Sequence, residues 1–281
     1  VLLNAKPDGY FPAHGPNPMA KGAMEQLQKA VLEEKADLGI IFDADGDRVF
    51  FVDNRGRPVD AHEIGFVLTQ MFKPPFVVSS ISSWRLKKWK VESGKLKVEN
   101  AMSKVPGQSL KPKTSNLIPV FISPVGHYFF KNMMREKNAS LGLEHSGHFY
   151  FRDFFYCDSG IFAAIAVINF VSKLKGGFAN WLDKLPKYYR SGEINFEVED
   201  KEKILSKLEK KYKNQAVFIS KLDGLTMEFR SPPTRSGQNS GEFWINVRPS
   251  NTENLLRLNV EAISSNLLNK AIRDVKRILA G

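Results

Sequence analysis

The chain has one cysteine, Cys157, among its 281 residues. That excludes an internal disulfide and fits a reducing compartment such as the cytoplasm. Long apolar runs are also missing. The longest near the middle, Ile161 to Val171, falls well short of the roughly 20 residues a bilayer-spanning helix needs. No signal peptide is visible, and the chain opens on Val1 rather than methionine, as the interior of a longer protein would. Negative charge is in deficit: 30 Asp and Glu face 41 Lys and Arg, a formal charge of +11. Such a balance favours anionic partners, among them phosphorylated metabolites, nucleic acid and acidic membrane surfaces. The hydrophobic content of 42% and charged content of 25% are those of an ordinary globular protein, and the length allows two or three domains.

What is present is organised around one stretch. Leu38 to Phe42 is an apolar run of strand length, Val49 to Asp53 is a second, and Asp43-Ala44-Asp45-Gly46-Asp47-Arg48 joins them. Carboxylates at alternate positions can all point at one spot from an extended or gently turning backbone. Packed that close they repel unless something positive sits among them. Hard oxygen ligands suit Mg²⁺ or Ca²⁺, and Mg²⁺ commonly binds beside a substrate phosphate. Arg48 could clamp such a phosphate with two parallel hydrogen bonds. The plainer alternative is a solvated acidic turn in a β-hairpin. An EF-hand fails, because Arg48 and Asn54 stand where that loop needs Gly and Glu. A haloacid-dehalogenase-type phosphatase stays as the alternative enzyme, with Asp43 as nucleophile and Asp45 as acid. Asp47 stands where that family prefers Thr or Val.

Before this stretch, residues 1–20 are rich in Pro, Gly and Asn and read as an ordered loop in which His14 bonds locally. Helical spacing of Met24, Leu27 and Val31 predicts a helix over 19–36. Beyond the stretch, a turn at 54–58 and a helix over 61–72 lead to a boundary at Lys73-Pro74-Pro75. Residues 76–80 read as a strand. The basic stretch 84–113 reads as a solvated face or insertion, so neither nucleic acid nor a membrane is the expected partner. Residues 118–122 read as a strand, with a helix from His127 through Arg135. Glu144, Ser146 and His148 then alternate around Gly147, groups of the kind that take sugar hydroxyls. This stretch by itself lacks the ligands for zinc. The helix at 158–174 is apolar nearly all round and is expected to be buried. After a boundary near Leu185-Pro186 come a Lys/Glu-rich helix over 201–212 and strands at 216–220 and 226–229. A strand-loop-strand follows, with Arg248, Ser250, Asn251 and Thr252 in the loop, a plausible phosphate cradle.

Taken in order, these motifs resemble the α-D-phosphohexomutases, and within them the bacterial phosphomannomutase/phosphoglucomutase branch. The matching segments are Pro7-Asp8-Gly9 with Phe11-Pro12 and Pro16-Asn17-Pro18, Asp43 to Arg48, Val125-Gly126-His127, Glu144 to His148, and Arg248 to Glu253. The resemblance implies successive mixed α/β domains followed by a smaller α+β domain. The divisions are 1–72 (the C-terminal part of the family's second domain), 73–185 (its third) and 186–281. It implies that Asp43, Asp45 and Asp47 ligate Mg²⁺ and that Arg48 holds phosphate at the reaction centre. Glu144 and Ser146 would take sugar hydroxyls, His148 would stand near the transfer site, and His127 would approach the substrate. Arg248, Ser250, Asn251 and Thr252 would bind the phosphate on the non-reacting end. The implied reaction interconverts hexose 1-phosphate and hexose 6-phosphate, with mannose and glucose phosphates leading, in a cytoplasmic monomer or dimer.

The family's phosphorylated serine lies in its first domain, on a loop usually written Thr-Ala-Ser-His-Asn-Pro, and no such loop occurs in this sequence. The chain is therefore expected to lack the N-terminal domain of the same polypeptide and to be inactive alone. A non-catalytic truncation that binds sugar phosphates is the alternative. Asn254 replaces the family's usual proline after Glu253, and Gly15 a frequent histidine.

Overall fold

An antiparallel hairpin carries the acidic loop. Strand β1 (Leu38–Phe42) pairs with β2 (Val49–Asp53), Phe42 opposite Val49, so residues 43–48 close the loop between them. The computed structural model describes residues 1–6, 8–82, 89–92, 95–98, 120–185, 187–230, 241–250 and 253–279, without the side chains of 89–92 and 95–98. The chain divides into two compact units, 1–82 with 118–186 and 83–117 with 187–281. The basic stretch 84–113 lies almost wholly outside the described residues, as do Asn251 and Thr252 of the expected cradle.

In the first unit, helix α1 (Glu25–Glu33) precedes β1 and buries Val31. It is shorter than the 19–36 its apolar spacing suggests. Residues 17–23 turn on local bonds, Ala20 N–H to Asn17 O and Ala23 N–H to Ala20 O, and Lys35 takes a positive φ of 51° that ends the helix. Strand β3 (Pro58–Val59) adds to β2. Asp60 then caps α2 (Ala61–Thr69) through a reciprocal bond with Glu63. Strand β4 (Phe76–Ser79) opens the second sheet. In the second unit a hairpin of β5 (Trp89–Glu92) and β6 (Lys95–Val98) comes next in the chain.

Back in the first unit, β7 (Val120–Ser123), α3 (His127–Glu136) and β8 (Leu141–Leu143) form a crossover, with β7 and β8 both parallel to β4. Strands β9 (Phe149–Phe151) and β10 (Cys157–Asp158) return antiparallel, giving the order β10-β9-β8-β4-β7. The aromatic strand β9 is fully buried, with Tyr150 stacked on Phe130 at 4.9 Å. Helix α4 (Gly160–Val171) is not buried all round, contrary to the expectation from its composition. It turns Ala163, Ala164, Ala166 and Val167 inward, whereas Ile161, Ile165 and Ile168 are 61, 62 and 48% exposed. The inward face was chosen by small residues that let the backbone approach, a choice that total hydrophobicity does not reveal.

Helix α5 (Phe178–Leu182) meets the turn after β2. The carboxylate of Asp53 accepts the N–H groups of Arg55 and Arg57 and pairs with Arg57 Nε at 2.7 Å. Arg55 and Arg57 both reach Asp183, at 2.7 and 2.9 Å. Asn54 Oδ1 accepts the N–H of Ala179 at 2.8 Å.

The second unit is a five-stranded antiparallel sheet ordered β11-β15-β14-β13-β12. Its strands are β11 (Tyr189–Glu197), β12 (Phe218–Ser220), β13 (Leu225–Arg230), β14 (Glu242–Pro249) and β15 (Leu255–Ala262). Helices α6 (Lys201–Tyr212) and α7 (Ser265–Leu279) cover one face around Leu208, Met227, Leu258 and Val275.

Candidate active site

The acidic loop is folded around Asp43, whose side chain is 1% exposed. Its Oδ1 accepts the N–H groups of Gly46 and Arg48, both at 3.1 Å, and Oδ2 accepts Arg48 Nε. Burial raises the Asp43 carboxyl, but the Arg48 guanidinium and N–H outweigh it and hold the group below its ordinary value. With both oxygens so engaged, and with β1 paired antiparallel rather than sitting in a parallel sheet, Asp43 is not presented as a nucleophile. The dehalogenase-type reading therefore loses its central residue. Asp43, Asp45 and Asp47 each bring a carboxylate oxygen within 4.8 Å of the others. Burial and the nearby charges of Asp43, Asp45 and Asp158 push the Asp47 carboxyl up, against the pull of His148.

A second loop, Glu144–His148 between β8 and β9, meets the first through the backbone. Arg48 and His148 form an antiparallel bridge, and Val49 N–H donates to Gly147 O at 3.3 Å. Gly147 makes this approach possible: its φ is +93°, and a Cβ there would lie 2.7 Å from the Phe50 ring. As a result His148 Nε2 sits 3.5 Å from Asp47 Oδ1. Its Nδ1 lies 2.9 Å from Ser146 Oγ and 3.3 Å from Glu144 Oε2. Glu144 also accepts Gly126 N–H and Tyr150 O–H, both at 3.1 Å. Burial would raise the Glu144 carboxyl, but His148 and these donors outweigh it and hold the group low. Burial would lower His148, and Glu144, Asp47 and Asp158 outweigh that to raise it. Glu144, expected to take a sugar hydroxyl, is thus also the carboxylate that faces the histidine.

His127, at the start of α3, packs edge-on to His148 with ring centroids 4.6 Å apart. Its Nδ1 is 3.3 Å from Asp158 Oδ2, and Lys131 Nζ is 3.6 Å from Asp158 Oδ1. Neither Asp158 nor Lys131 stands out in the sequence. Asp158 shares no local motif with the histidines and arrives from β10, and Lys131 lies one helical turn beyond His127. The first residue of α4, Gly160, seats this end of the helix on the acidic loop: a Cβ there would lie 2.6 Å from Gly46 O and 3.0 Å from Arg48 O.

In the second unit, Arg248 Nη2 donates to Glu193 Oε2 at 3.0 Å. Arg257, directly opposite on β15, donates to Glu193 Oε1 at 3.2 Å and to Ser250 Oγ at 3.4 Å. Lys201 Nζ donates to the carbonyls of Ser250 and Glu253 at 3.0 and 2.7 Å. Arg257 and Lys201 were not anticipated from the sequence, though the hairpin register alone places Arg257 against Arg248. The buried Nε atoms of Arg248 and Arg257 have no partner among the described residues.

Three family models match the chain: phosphoglucomutase/phosphomannomutase alpha/beta/alpha domain II over 1–56, domain III over 113–189 and the C-terminal domain over 193–278. Among curated relatives, a phosphomannomutase of Methanocaldococcus jannaschii is 31% identical over 280 residues, covering 100% of this chain and 56% of that protein. A phosphomannomutase of Salmonella montevideo is 32% identical over 264 residues, 93% of this chain and 51% of that one. The chain spans about half the length of the curated relatives it matches. Among solved structures, a phosphoglucomutase/phosphomannomutase family protein of Burkholderia thailandensis superposes with a TM-score of 0.73 at 22% identity, over 97% of this chain and 52% of that one. Parafusin of Paramecium gives 0.63 at 15% identity, over 99% and 53%. At these identities the structures speak for the fold alone. No helix among the described residues is long and apolar enough to cross a membrane.

Proposed function

The chain belongs to the phosphoglucomutase/phosphomannomutase family of α-D-phosphohexomutases, and from that footing we propose that it serves the interconversion of hexose 1-phosphate and hexose 6-phosphate through a bisphosphorylated intermediate. Mannose and glucose phosphates are the substrates of first choice, and the cytoplasm is the proposed compartment. The observation that carries the reading is the backbone bridge between Arg48 and His148. It sets an imidazole flanked by carboxylates against a loop of three carboxylates and a guanidinium, the groups that phosphoryl transfer needs for positioning and charge neutralisation.

In this reading Arg48 holds the phosphoryl group, and its Nη groups take no hydrogen bond among the described residues. His148 exchanges a proton with the sugar oxygen through Nε2, while Glu144 and Ser146 fix the ring from Nδ1. His127 lines the same place. Arg248 and Ser250, with Asn251 and Thr252 outside the described residues, bind the phosphate that the chemistry leaves alone. Asp43, Asp45 and Asp47 fit Mg²⁺: three carboxylate oxygens stand close together, and Asp47 is pushed up by burial and by the crowding of charge that a cation relieves. When bound, Mg²⁺ supplies further charge neutralisation at the phosphoryl group. The divisions at 73 and 186 belong to this reading; the family models run over 1–56, 113–189 and 193–278.

The phosphorylated serine that the family's reaction requires is not among these 281 residues, so the chain by itself is proposed to bind hexose phosphates without turning them over. Sequencing the coding DNA upstream of Val1 decides which protein to assay. ³¹P NMR of the gene product with mannose or glucose 1-phosphate should show conversion to the 6-phosphate if a Ser-His-Asn-Pro loop is encoded, and binding alone if it is not. Release of inorganic phosphate, or no binding of any hexose phosphate, would sink the reading.

A further inference from the structure

We propose that Asp47, His127, His148 and Asp158 form a cation site of their own, suited to Zn²⁺ or a similar nitrogen-seeking divalent ion and distinct from the all-carboxylate loop with which it shares Asp47. The stretch around His148 has too few ligands for zinc, and the fold supplies the rest from the loop after β1, the start of α3 and strand β10. One ligand atom from each of the four residues lies within 4.8 Å of every other. Zinc–nitrogen and zinc–oxygen bonds of about 2.0–2.2 Å place tetrahedral ligands about 3.3–3.6 Å apart. Two separations already have that length: 3.3 Å for His127 Nδ1 to Asp158 Oδ2, and 3.5 Å for His148 Nε2 to Asp47 Oδ1. A third, His148 Nε2 to Asp158 Oδ2, is 4.0 Å. His127 is 44% exposed at its side chain, so the site opens to solvent on that side.

Two further observations point to a ligand. Asp158 is 7% exposed at its side chain, and its buried Oδ2 accepts no hydrogen bond among the described residues although it faces both imidazoles. Lys131 sits on the other oxygen, Oδ1, and leaves Oδ2 to the cluster. His148 is held from behind, because Glu144 and Ser146 engage Nδ1 and leave Nε2 facing Asp47 and Asp158. A carboxylate behind a histidine is how proteins orient an imidazole for metal. Two nitrogen and two oxygen donors at these spacings suit Zn²⁺ and are poor for Mg²⁺, which demands oxygen and octahedral geometry. A cation here takes the same His148 Nε2 that the proposed proton exchange uses, so the two are alternative states of one site.

The test is calorimetric titration of the chelator-stripped protein with Zn²⁺ alone, repeated with Co²⁺ while following its visible absorption. The expected result is one ion bound with the intense bands of four-coordinate Co²⁺. Affinity should fall at least about tenfold in His127→Ala and in Asp158→Asn, and hold in Asp45→Asn, which touches only the carboxylate loop. His127 is exposed enough to be removed without harm to the core, so that variant decides the matter should Asp158→Asn misfold by circular dichroism. Absence of Zn²⁺ binding in the wild type, binding indifferent to His127→Ala, or binding lost in Asp45→Asn would each overturn the proposal.

Discussion

Glu144 Oε2 lies 3.3 Å from His148 Nδ1, with 2% of the Glu144 side chain and 14% of the His148 side chain exposed. Glu144 is held below its ordinary 4.5 and His148 above its ordinary 6.5. The carboxylate's contribution to stability is therefore present above 4.5 and lost as pH falls through its lowered value. The imidazolium's is present below 6.5 and lost as pH rises through its raised value. Together they favour the folded state most between those two ordinary values. In Glu144→Gln burial should dominate and bring His148 below 6.5, at a cost of about 3–5 kcal/mol for an uncompensated partner. Proton NMR titration of the imidazole and denaturant unfolding across pH check both.

Asp45 is exposed, and the loop N–H groups of Gly46 and Arg48 go to Asp43 instead. Asp45→Asn should fold as the wild type does and lose Mg²⁺ binding at the carboxylate loop. At a Mg²⁺ concentration near 100 Kd the wild type gains about 2.7 kcal/mol of stability. Melting curves with and without Mg²⁺ should show that gain in the wild type and none in the variant.

Gly160→Ala puts a methyl group 2.6 Å from the carbonyl oxygen of Gly46, a backbone atom that cannot swing aside. Either α4 or the acidic loop must move, at about 1–3 kcal/mol. The variant should show a lower melting temperature together with weaker cation affinity. Loss of stability with unchanged affinity would mean that the helix moves and the loop does not.

Arg257 and Arg248 share the carboxylate of Glu193, which occupies both guanidiniums as a phosphate would. Arg257→Ala and Ser250→Ala should each weaken binding of inorganic phosphate or a hexose phosphate, Arg257→Ala by about 1.5–3 kcal/mol, roughly tenfold to a hundredfold. Glu193→Gln should strengthen it by removing the competitor. Titration calorimetry reads all three, and a Glu193→Gln protein that binds more weakly would show that the carboxylate serves to position the arginines.

The acidic loop could be read directly from the sequence because its strands flank it within sixteen residues, and the hairpin that carries Arg248 is nearly as local, its strands lying within twenty-one. Asp158 was illegible for the opposite reason. Its partners, His127 and Lys131, lie on a helix two strands earlier, and only the β8-β9-β10 meander brings them together. The inner face of α4 was misread because hydropathy does not say which residues are small enough to sit against another backbone. Glu144 reads from the sequence as a group for a sugar hydroxyl, and what the sequence does not show is that Gly126, Tyr150 and His148 converge on it.

Arg48 and His148 lie about a hundred residues apart in the chain, yet their backbones are paired. At a synthesis rate of about 5–20 residues per second, the acidic loop leaves the ribosome some 5–20 seconds before the strand that completes it. Through that interval Arg48 and dissolved divalent ions are the loop's counter-charge. The concentration of such ions during translation then bears on how much of the nascent chain waits in a conformation that β9 can join.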